Sequence, residues 1–200
     1  MIDIKSISFA RGSHEIYKDF SSHLNMGESV LLTGPNGSGK STLIQLIGGL
    51  LKTHSGSIEI DGSTIDSLST KKQALLRSIA PQRRSFTLAF TVDQILNFLP
   101  RKMRIDDNSY LIEQLGIHKI LTKKITELSI GQQERVSLAL ALTQQANYYL
   151  LDEPFSAQDS ESTTKILKLI SELKKEKGVL VISHNQDAIS THFDRVISLV

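Results

Sequence analysis

Three short, continuous apolar runs stand out along the chain: Ser29–Thr33, Tyr148–Leu151 and Val179–Ser183. Each is too short for a core helix and rich in strand-favouring residues, so each predicts a strand buried on both faces. Polar or glycine-rich residues follow each run. Helical patterns are predicted over roughly residues 40–51, 131–146 and 160–176. Strands that alternate with helices favour an α/β fold with a mostly parallel, doubly wound sheet, whose ligands bind at the carboxyl ends of strands.

The remaining segments predict two further layers. Strands of an N-terminal antiparallel layer are expected at Ile2–Phe9, Phe20–Met26 and Gly56–Gly62. The middle of the chain, roughly residues 71–146, has no comparable buried runs. Helical patterns occur there instead, at Thr91–Leu99, Asn108–Gln114 and Gly131–Ala146. We therefore expect an α-helical lobe inserted between the two halves of the sheet.

Composition narrows the class of protein. The 200 residues are 40% hydrophobic, which suits one globular domain. A net charge of +2, from 23 basic and 21 acidic side chains, argues against nucleic acid as a partner. Without cysteine there is no disulfide framework or thiolate metal site. No apolar run approaches a membrane span, and the N-terminus lacks the apolar stretch of a signal peptide, so any membrane function is expected to come through a partner.

A glycine-rich loop after the first buried run has the pattern G-x-x-x-x-G-K-[ST]. It consists of Gly34, Pro35, Asn36, Gly37, Ser38, Gly39, Lys40, Ser41 and Thr42. Its glycines let backbone N–H groups turn inward around an anion, and the helix that follows adds the positive end of its dipole. We expect Lys40 to reach the β- and γ-phosphates of a nucleotide and the Ser41 hydroxyl to bind Mg²⁺. A chance glycine turn is disfavoured by the strand before it and the helix after it.

Two carboxylates end the second buried run. Asp152 is placed to hold Mg²⁺, directly or through water, and Glu153 to act as the base or the group that orients the attacking water. Taken alone, adjacent acids after a strand are as often a solvated turn or a helix start. Their pairing with the phosphate loop favours the catalytic alternative.

Further motifs resemble those of the ATP-binding cassettes of ABC transporters, in the order found in that family and over nearly the whole chain. Leu128–Gln132 resembles the signature sequence, Gln82 the Q-loop glutamine, His184 the switch histidine and Ser156–Asp159 the D-loop. The resemblance implies a P-loop NTPase core at about residues 1–80 and 147–200, with the helical lobe at about 81–146. The resemblance further implies that all of it forms one ABC ATPase domain over residues 1–200.

The resemblance also implies roles for single residues. Lys40, Glu153 and His184 are the expected catalytic groups, and Gln82 joins Ser41 and Asp152 around the metal. Ser129, Gly131 and Gln132 are expected to meet the γ-phosphate bound to an opposite subunit, with Asp159 also at the nucleotide. Ser129 is equally suited to cap the helix that follows it.

Two departures from the family pattern concern base recognition and the signature. Arg11 stands where the family usually presents an aromatic residue to adenine, so its guanidinium, or alternatively Tyr17, is expected to stack on the base. Ile130 replaces a common glycine of the signature and is expected to weaken the contact across the dimer. The segment Ser85–Val92, with Phe86, Leu88 and Phe90, is either a docking surface or part of the lobe core.

The expected function is an ATPase subunit of an ABC transporter that binds ATP and Mg²⁺. Its partners would be a second copy or a paralogous cassette, integral membrane permease subunits and, in an importer, a substrate-binding protein. It would lie in the cytoplasm, on the inner face of the cell membrane. Metal ions or metal chelates are the suggested substrates, and both directions of transport, import and export, stay open. The alternative is a soluble, non-transport ABC ATPase, which would usually carry two cassettes or a coiled-coil insertion.

Overall fold

The computed structural model describes residues 1–82, 86, 89–184 and 189–199. Its strands, in chain order, are β1 (Ile2–Arg11), β2 (His14–Leu24), β3 (Ser29–Thr33), β4 (Ser55–Ile60), β5 (Ser63–Thr64), β6 (Arg77–Ala80), β7 (Tyr148–Asp152), β8 (Gly178–Ile182) and β9 (Arg195–Ser198). Its helices are α1 (Lys40–Ile47), α2 (Thr70–Leu76), α3 (Val92–Leu96), α4 (Ser109–Gln114), α5 (Ile130–Thr143) and α6 (Ser160–Leu173).

The strands form two sheets. One is antiparallel in the order β2-β1-β4-β5, and the other runs β6-β7-β8-β3-β9 with every neighbouring pair parallel. The three predicted buried runs became the three central strands of the parallel sheet, and every residue in them is buried. The predicted α/β architecture, with a parallel sheet and an N-terminal antiparallel layer, is therefore confirmed.

Side chains of the central strands alternate between two apolar clusters, because successive residues of a strand point to opposite faces. Leu31 and Leu151 pack with helices α3 to α6 in one cluster. Leu32 and Leu150 pack with α1 and the antiparallel sheet in the other. Burial on both faces explains why these strands are continuously apolar.

Several predicted element boundaries differ from the structure, and two of its edge strands were not predicted. The predicted helix at 40–51 ends at Ile47, where Gly48 follows and Gly49 turns left-handed with φ 62°. The helices predicted at 131–146 and 160–176 end at Thr143 and Leu173. Within the predicted helical middle, α2 and β6 are not anticipated, and neither is β9.

One apolar cluster joins the helical segment to the sheet, since α5 packs against β6 and β7 while α3 and α4 pack on α5. The division into a core and a lobe therefore stays a prediction. In the parts of the chain that the structure describes, no helix is long and apolar enough to cross a membrane.

Candidate nucleotide-binding and hydrolysis site

The carboxyl ends of β3, β7 and β8 meet at one edge of the parallel sheet. Because β8 lies between β3 and β7, the loops that follow these strands are brought together. A cavity of about 460 Å³ opens at this edge. Its lining contains most of the predicted site residues, namely Arg11, Asn36, Gly37, Gly39, Lys40, Ser41, Thr42, Gln82, Asp152, Glu153 and His184.

The phosphate loop needs glycine for conformation and for space. Gly34, Gly37 and Gly39 have φ values of 144°, 87° and 98°, in the region that other residues rarely adopt. A Cβ on Gly39 would lie 2.5 Å from Cγ2 of Ile16 and 3.0 Å from the hydroxyl of Tyr17. That hydroxyl donates a 2.9 Å hydrogen bond to the Gly39 carbonyl, so β2, which contains Tyr17, packs directly against the phosphate loop.

Lys40 is buried at the base of the loop. Its Nζ donates hydrogen bonds to the carbonyls of Gly34 at 2.7 Å and Pro35 at 2.8 Å. Burial lowers the pKa of Lys40, and the charges of Glu153 and Asp152 oppose this shift. The ammonium group is thus held inside the loop, where a phosphate would enter.

Asp152 and Ser41 provide oxygen atoms suited to Mg²⁺. Both residues line the phosphate-loop cavity. Oδ1 of Asp152 is buried without a hydrogen-bond partner among the described residues. Burial raises the pKa of Asp152, against the effects of Ser41, Lys40 and His184. A desolvated carboxylate with an unpaired oxygen is suited to bind a hard cation, whose remaining coordination positions phosphate and water would fill. The donor set therefore suits Mg²⁺.

Glu153 and His184 come from adjacent strand ends. Oε1 of Glu153 lies 3.0 Å from Nε2 of His184, although the two atoms are not aligned for a hydrogen bond. The backbone N–H of His184 donates a hydrogen bond to Oε2 of Glu153 at 3.4 Å. Burial is the largest influence on the Glu153 carboxyl and raises its pKa, which makes the group a better proton acceptor.

Gln82 is an exposed residue just beyond β6, and it lines the phosphate-loop cavity. It also lines a second cavity of about 560 Å³ between the start of α5 and the loop after β7. Gln82 therefore lies where the helical segment meets the two carboxylates. Its predicted role at the metal stays a prediction.

The signature and D-loop residues lie elsewhere. Among the described residues, the lining of the phosphate-loop cavity does not include Ser129, Gly131, Gln132 or Asp159. Ser129 and Gln132 form a capping box at the start of α5, with Gln132 N–H donating to Ser129 Oγ at 3.3 Å and Ser129 N–H donating to Gln132 Oε1 at 3.0 Å. Asp159 caps α6 by accepting the Ser162 N–H at 2.7 Å.

Gly131 packs against the D-loop. A Cβ on Gly131 would lie 3.0 Å from the carbonyl of Ala157, and Gln158 Nε2 donates to the Gly131 carbonyl at 3.5 Å. The signature is thereby attached to the segment after Glu153. Ile130, the departure from the family pattern, is 72% exposed at the first position of α5.

The structure corrects one expectation about base stacking. Tyr17 is only 4% exposed and its hydroxyl is bound to Gly39, so it is not available to stack on a base. Arg11 is exposed and lines the cavity, and His14 and Ile16, for which the sequence predicts no role, line it as well. Tight pairing across the β1–β2 turn places them there, and the Gly12–Ser13 pair between the two strands is the sequence signal that could have predicted it.

The predicted docking segment is described only in part. Phe86 is partly buried against the cluster of the helical segment, and Phe90 is 43% exposed. Ser85 and Leu88 lie outside the described residues. The choice between docking surface and lobe core stays open for this segment.

Comparisons with known proteins bear on the whole arrangement. The family model described as ABC transporter matches residues 17–156. The manganese transport system ATP-binding protein MntB of Bacillus subtilis is 32% identical over 211 residues, which cover 99% of this chain and 82% of that protein. The hemin import ATP-binding protein HmuV of Bordetella avium is 32% identical over 214 residues, again with 99% and 82% covered.

A solved structure adds a functional state. It is the dimeric post-hydrolysis state of an ATP-binding cassette bound to ADP and phosphate, 27% identical, with a TM-score of 0.84. The match covers 100% of this chain and 94% of that one. The fold, the phosphate loop with the two carboxylates beside it, and these relatives all indicate the same family. The chain belongs to the ABC transporter family, as one of its ATP-binding and ATP-hydrolysing cassettes.

Proposed function

We propose that this chain is the ATPase subunit of an importer for metal ions or metal chelates. Two cassettes would bind two ATP molecules between them, close, and drive permease subunits in the membrane. The observation that carries the catalytic part is the common cavity of Lys40, Asp152 and Glu153 at one sheet edge.

The phosphate loop would bind the triphosphate. Lys40 would exchange the carbonyls of Gly34 and Pro35 for phosphate oxygens, which are stronger partners for an ammonium group. Inward N–H groups of the loop and the start of α1 would add further donors. Binding therefore comes mainly from positioning and electrostatics.

Ser41, Asp152 and Gln82 would hold Mg²⁺. When bound, the ion neutralises negative charge on the β- and γ-phosphates. The unpaired Oδ1 of Asp152 supports this assignment, because a cation would compensate its burial.

Glu153 would accept the proton of the attacking water. The raised pKa of its carboxyl and its buried position support this role. His184, 3.0 Å away, would hold the carboxylate in place and contact the γ-phosphate. Its side chain is 47% exposed and so accessible to a nucleotide.

A second copy would complete the site. Ser129, Gly131 and Gln132 begin an exposed helix end, and no described residue of this group lines the phosphate-loop cavity of the same chain. An exposed helix start, with the positive end of the helix dipole, suits the γ-phosphate of an opposite cassette. Asp159 would lie at the same interface.

The substrate class is inferred from the relatives. Two of the relatives, MntB and HmuV, carry names for manganese transport and for hemin import. Both are metal cargoes, so we infer import of a metal ion or a metal chelate. The chain would then lie on the cytoplasmic face of the membrane, bound to permease subunits, with a substrate-binding protein on the other side.

Reconstitution tests the proposal. The chain would be co-expressed with any multi-span membrane protein encoded beside it, purified as a complex and placed in proteoliposomes. ATP-dependent uptake of Mn²⁺ or of haem, lost in a Lys40→Ala complex, is the expected result. An active ATPase that associates with no membrane protein would instead favour the soluble alternative.

A further inference from the structure

The segment that follows β7 contains two strained backbone positions. Glu153 has a φ of 54° and Ala157 a φ of 52°, in the left-handed region that non-glycine residues rarely adopt. Two consecutive turns connect them, since the Ser156 N–H donates to the Glu153 carbonyl at 3.1 Å and the Gln158 N–H donates to the Phe155 carbonyl at 3.3 Å. Contacts with the rest of the protein must hold such a segment in place.

The side chain of Gln158 supplies contacts of this kind. Its Nε2 donates to the carbonyl of Ser156 at 3.0 Å and to the carbonyl of Gly131 at 3.5 Å. Its Oε1 accepts a hydrogen bond from Nη1 of Arg135 at 3.3 Å. Gly131 and Arg135 both lie in the first two turns of α5. One amide group therefore closes the turn around Ala157 and fastens it to the start of α5.

This contact joins two segments with different proposed tasks. Glu153 acts on the ATP of its own chain, whereas Ser129 and Gly131 contact the ATP of the opposite chain. The two segments already lie close together, because a Cβ on Gly131 would be only 3.0 Å from the Ala157 carbonyl. A shift at the start of α5 is thus transmitted to the segment that carries the base.

We propose that Gln158 is a positioning residue for ATP hydrolysis, which holds the left-handed turn at Ala157 against α5 and so keeps Glu153 in its catalytic position. The proposal rests on the proposed function, since it assumes that Glu153 is the base. Among the described residues, the lining of the phosphate-loop cavity does not include Gln158. Gln158 therefore acts through the loop and not by contact with the triphosphate.

Gln158→Met removes the three hydrogen bonds and keeps the length of the side chain. We expect kcat for ATP hydrolysis to fall at least about tenfold, because a misplacement of about 1 Å at a catalytic group can lower a rate about 100-fold. Binding of a non-hydrolysable ATP analogue should stay within about twofold of the parent value, since the phosphate loop is separate from the contact. Steady-state ATPase assays and isothermal titration measure the two quantities.

A glycine at position 157 gives the rescue experiment. Glycine adopts a left-handed φ without strain, so the turn no longer depends on the amide of Gln158. Adding Ala157→Gly to Gln158→Met should bring kcat to within about threefold of Ala157→Gly alone. A glutamine that only stabilised the fold would lower Tm, leave kcat unchanged well below Tm, and give glycine nothing to rescue.

Gln158→Glu tests which half of the amide matters. Its carboxylate still accepts a hydrogen bond from Arg135 but cannot donate to the carbonyls of Ser156 and Gly131. We expect kcat to fall as far as in Gln158→Met, because two carbonyl oxygens then face a carboxylate. A parent rate in Gln158→Glu would overturn the proposal.

Gln145→Met is the matched control, since it makes the same replacement at an exposed position just beyond α5, and it should keep the parent kcat. A parent rate in Gln158→Met, or a loss that Ala157→Gly does not reverse, would also overturn the proposal. A parent protein without hydrolysis that depends on Lys40 would instead refute the catalytic part of the proposed function. The two failures are therefore distinguishable.

Discussion

Glu153 reaches His184 from a strained backbone position. Oε1 and Nε2 are 3.0 Å apart, and Glu153 has a left-handed φ of 54° directly after the last residue of β7. A non-glycine residue in this region costs on the order of 1 kcal/mol, so surrounding contacts must hold it there. The Glu153 N–H donates to the Ile182 carbonyl at 3.0 Å, which anchors the turn to β8.

Glu153→Gln should bind ATP but hydrolyse it at least about 100-fold more slowly. The amide keeps the size of the side chain but cannot accept a proton, and general bases typically contribute at least this factor. ATP should also hold the variant as a dimer, because closure is no longer followed by hydrolysis. Single-turnover phosphate release and size-exclusion chromatography with ATP measure the two effects.

Glu161→Gln is a matched control for the loss of one acid. Glu161 is exposed on α6, where it forms a surface ion pair with Lys165. Its variant should hydrolyse ATP at the parent rate. If Glu153→Gln also kept the parent rate, Glu153 would not be the base.

Asp152 should destabilise the nucleotide-free fold at neutral pH. Burial raises its pKa above the unfolded value, so its favourable contribution is complete below the unfolded pKa and is lost as pH rises through the folded one. Asp152→Asn should therefore raise Tm at pH 7 by about 3 °C, as expected for about 1 kcal/mol in a chain of this size.

Scanning fluorimetry at pH 7 and at pH 4 tests this sign. The gain should shrink at the lower pH, since the parent Asp152 is protonated to a greater extent there than at pH 7. Mg-ATP should stabilise the parent protein more than the variant, because the Asp152 charge that destabilises the nucleotide-free fold is the charge that binds Mg²⁺. A lower Tm for Asp152→Asn at pH 7 would contradict the argument.

The central strands could be predicted because burial on both faces leaves a continuous apolar run. β6 and β9 form the two edges of the same sheet, each with a half-buried pattern over four residues. So short an alternation carries no periodic signal. The motif residues could be predicted as well, but the burial of Tyr17 and the Arg11–Gln45 contact depend on long-range packing. No local pattern contains that information.

Variants at two glycines of the phosphate loop distinguish backbone strain from a steric clash of the added side chain. Gly39→Ala would meet Ile16 and Tyr17, whereas a Cβ on Gly37 has nothing within 4 Å. Both have left-handed φ values, so both variants should lose about 1 kcal/mol of stability. Gly39→Ala should lose clearly more, and at least about tenfold in ATP affinity, because the loop must shift. Equal losses of Tm and affinity in the two variants would exclude the steric argument.

Asp194 ties the loop before β9 to β3. Its carboxylate accepts a 2.7 Å bond from Lys174 Nζ and two 2.8 Å bonds from the N–H and hydroxyl of Ser29. These contacts, the Lys174 bond foremost, lower its pKa to about 2. The stabilisation is therefore present above the unfolded pKa and is lost as pH falls from about 4 towards 2.

Asp194→Asn should cost about 1 kcal/mol at pH 7, a value reduced for screening because the side chain is 43% exposed. Urea denaturation at pH 7 and pH 3 measures the cost, which should be smaller at pH 3. Glu161→Gln, which removes an exposed pair, should show no comparable change. A cost for Asp194→Asn that is independent of pH would point to lost packing rather than lost charge.

Ser129 has a capping role within its own chain and a proposed phosphate role towards a second one, and Ser129→Asp separates them. Aspartate is as good an N-cap as serine, so the thermal stability of the nucleotide-free variant should match the parent. Ser129→Ala should lose about 1 kcal/mol with the cap. An added negative charge facing the γ-phosphate of an opposite cassette should abolish ATP-induced dimerisation of Ser129→Asp while each monomer still binds ATP. Sedimentation velocity with ATP, in a Glu153→Gln background that prevents turnover, gives the readout. If Ser129→Asp formed dimers as the parent does, the phosphate role of Ser129 would be refuted and only its role as a helix cap would stand.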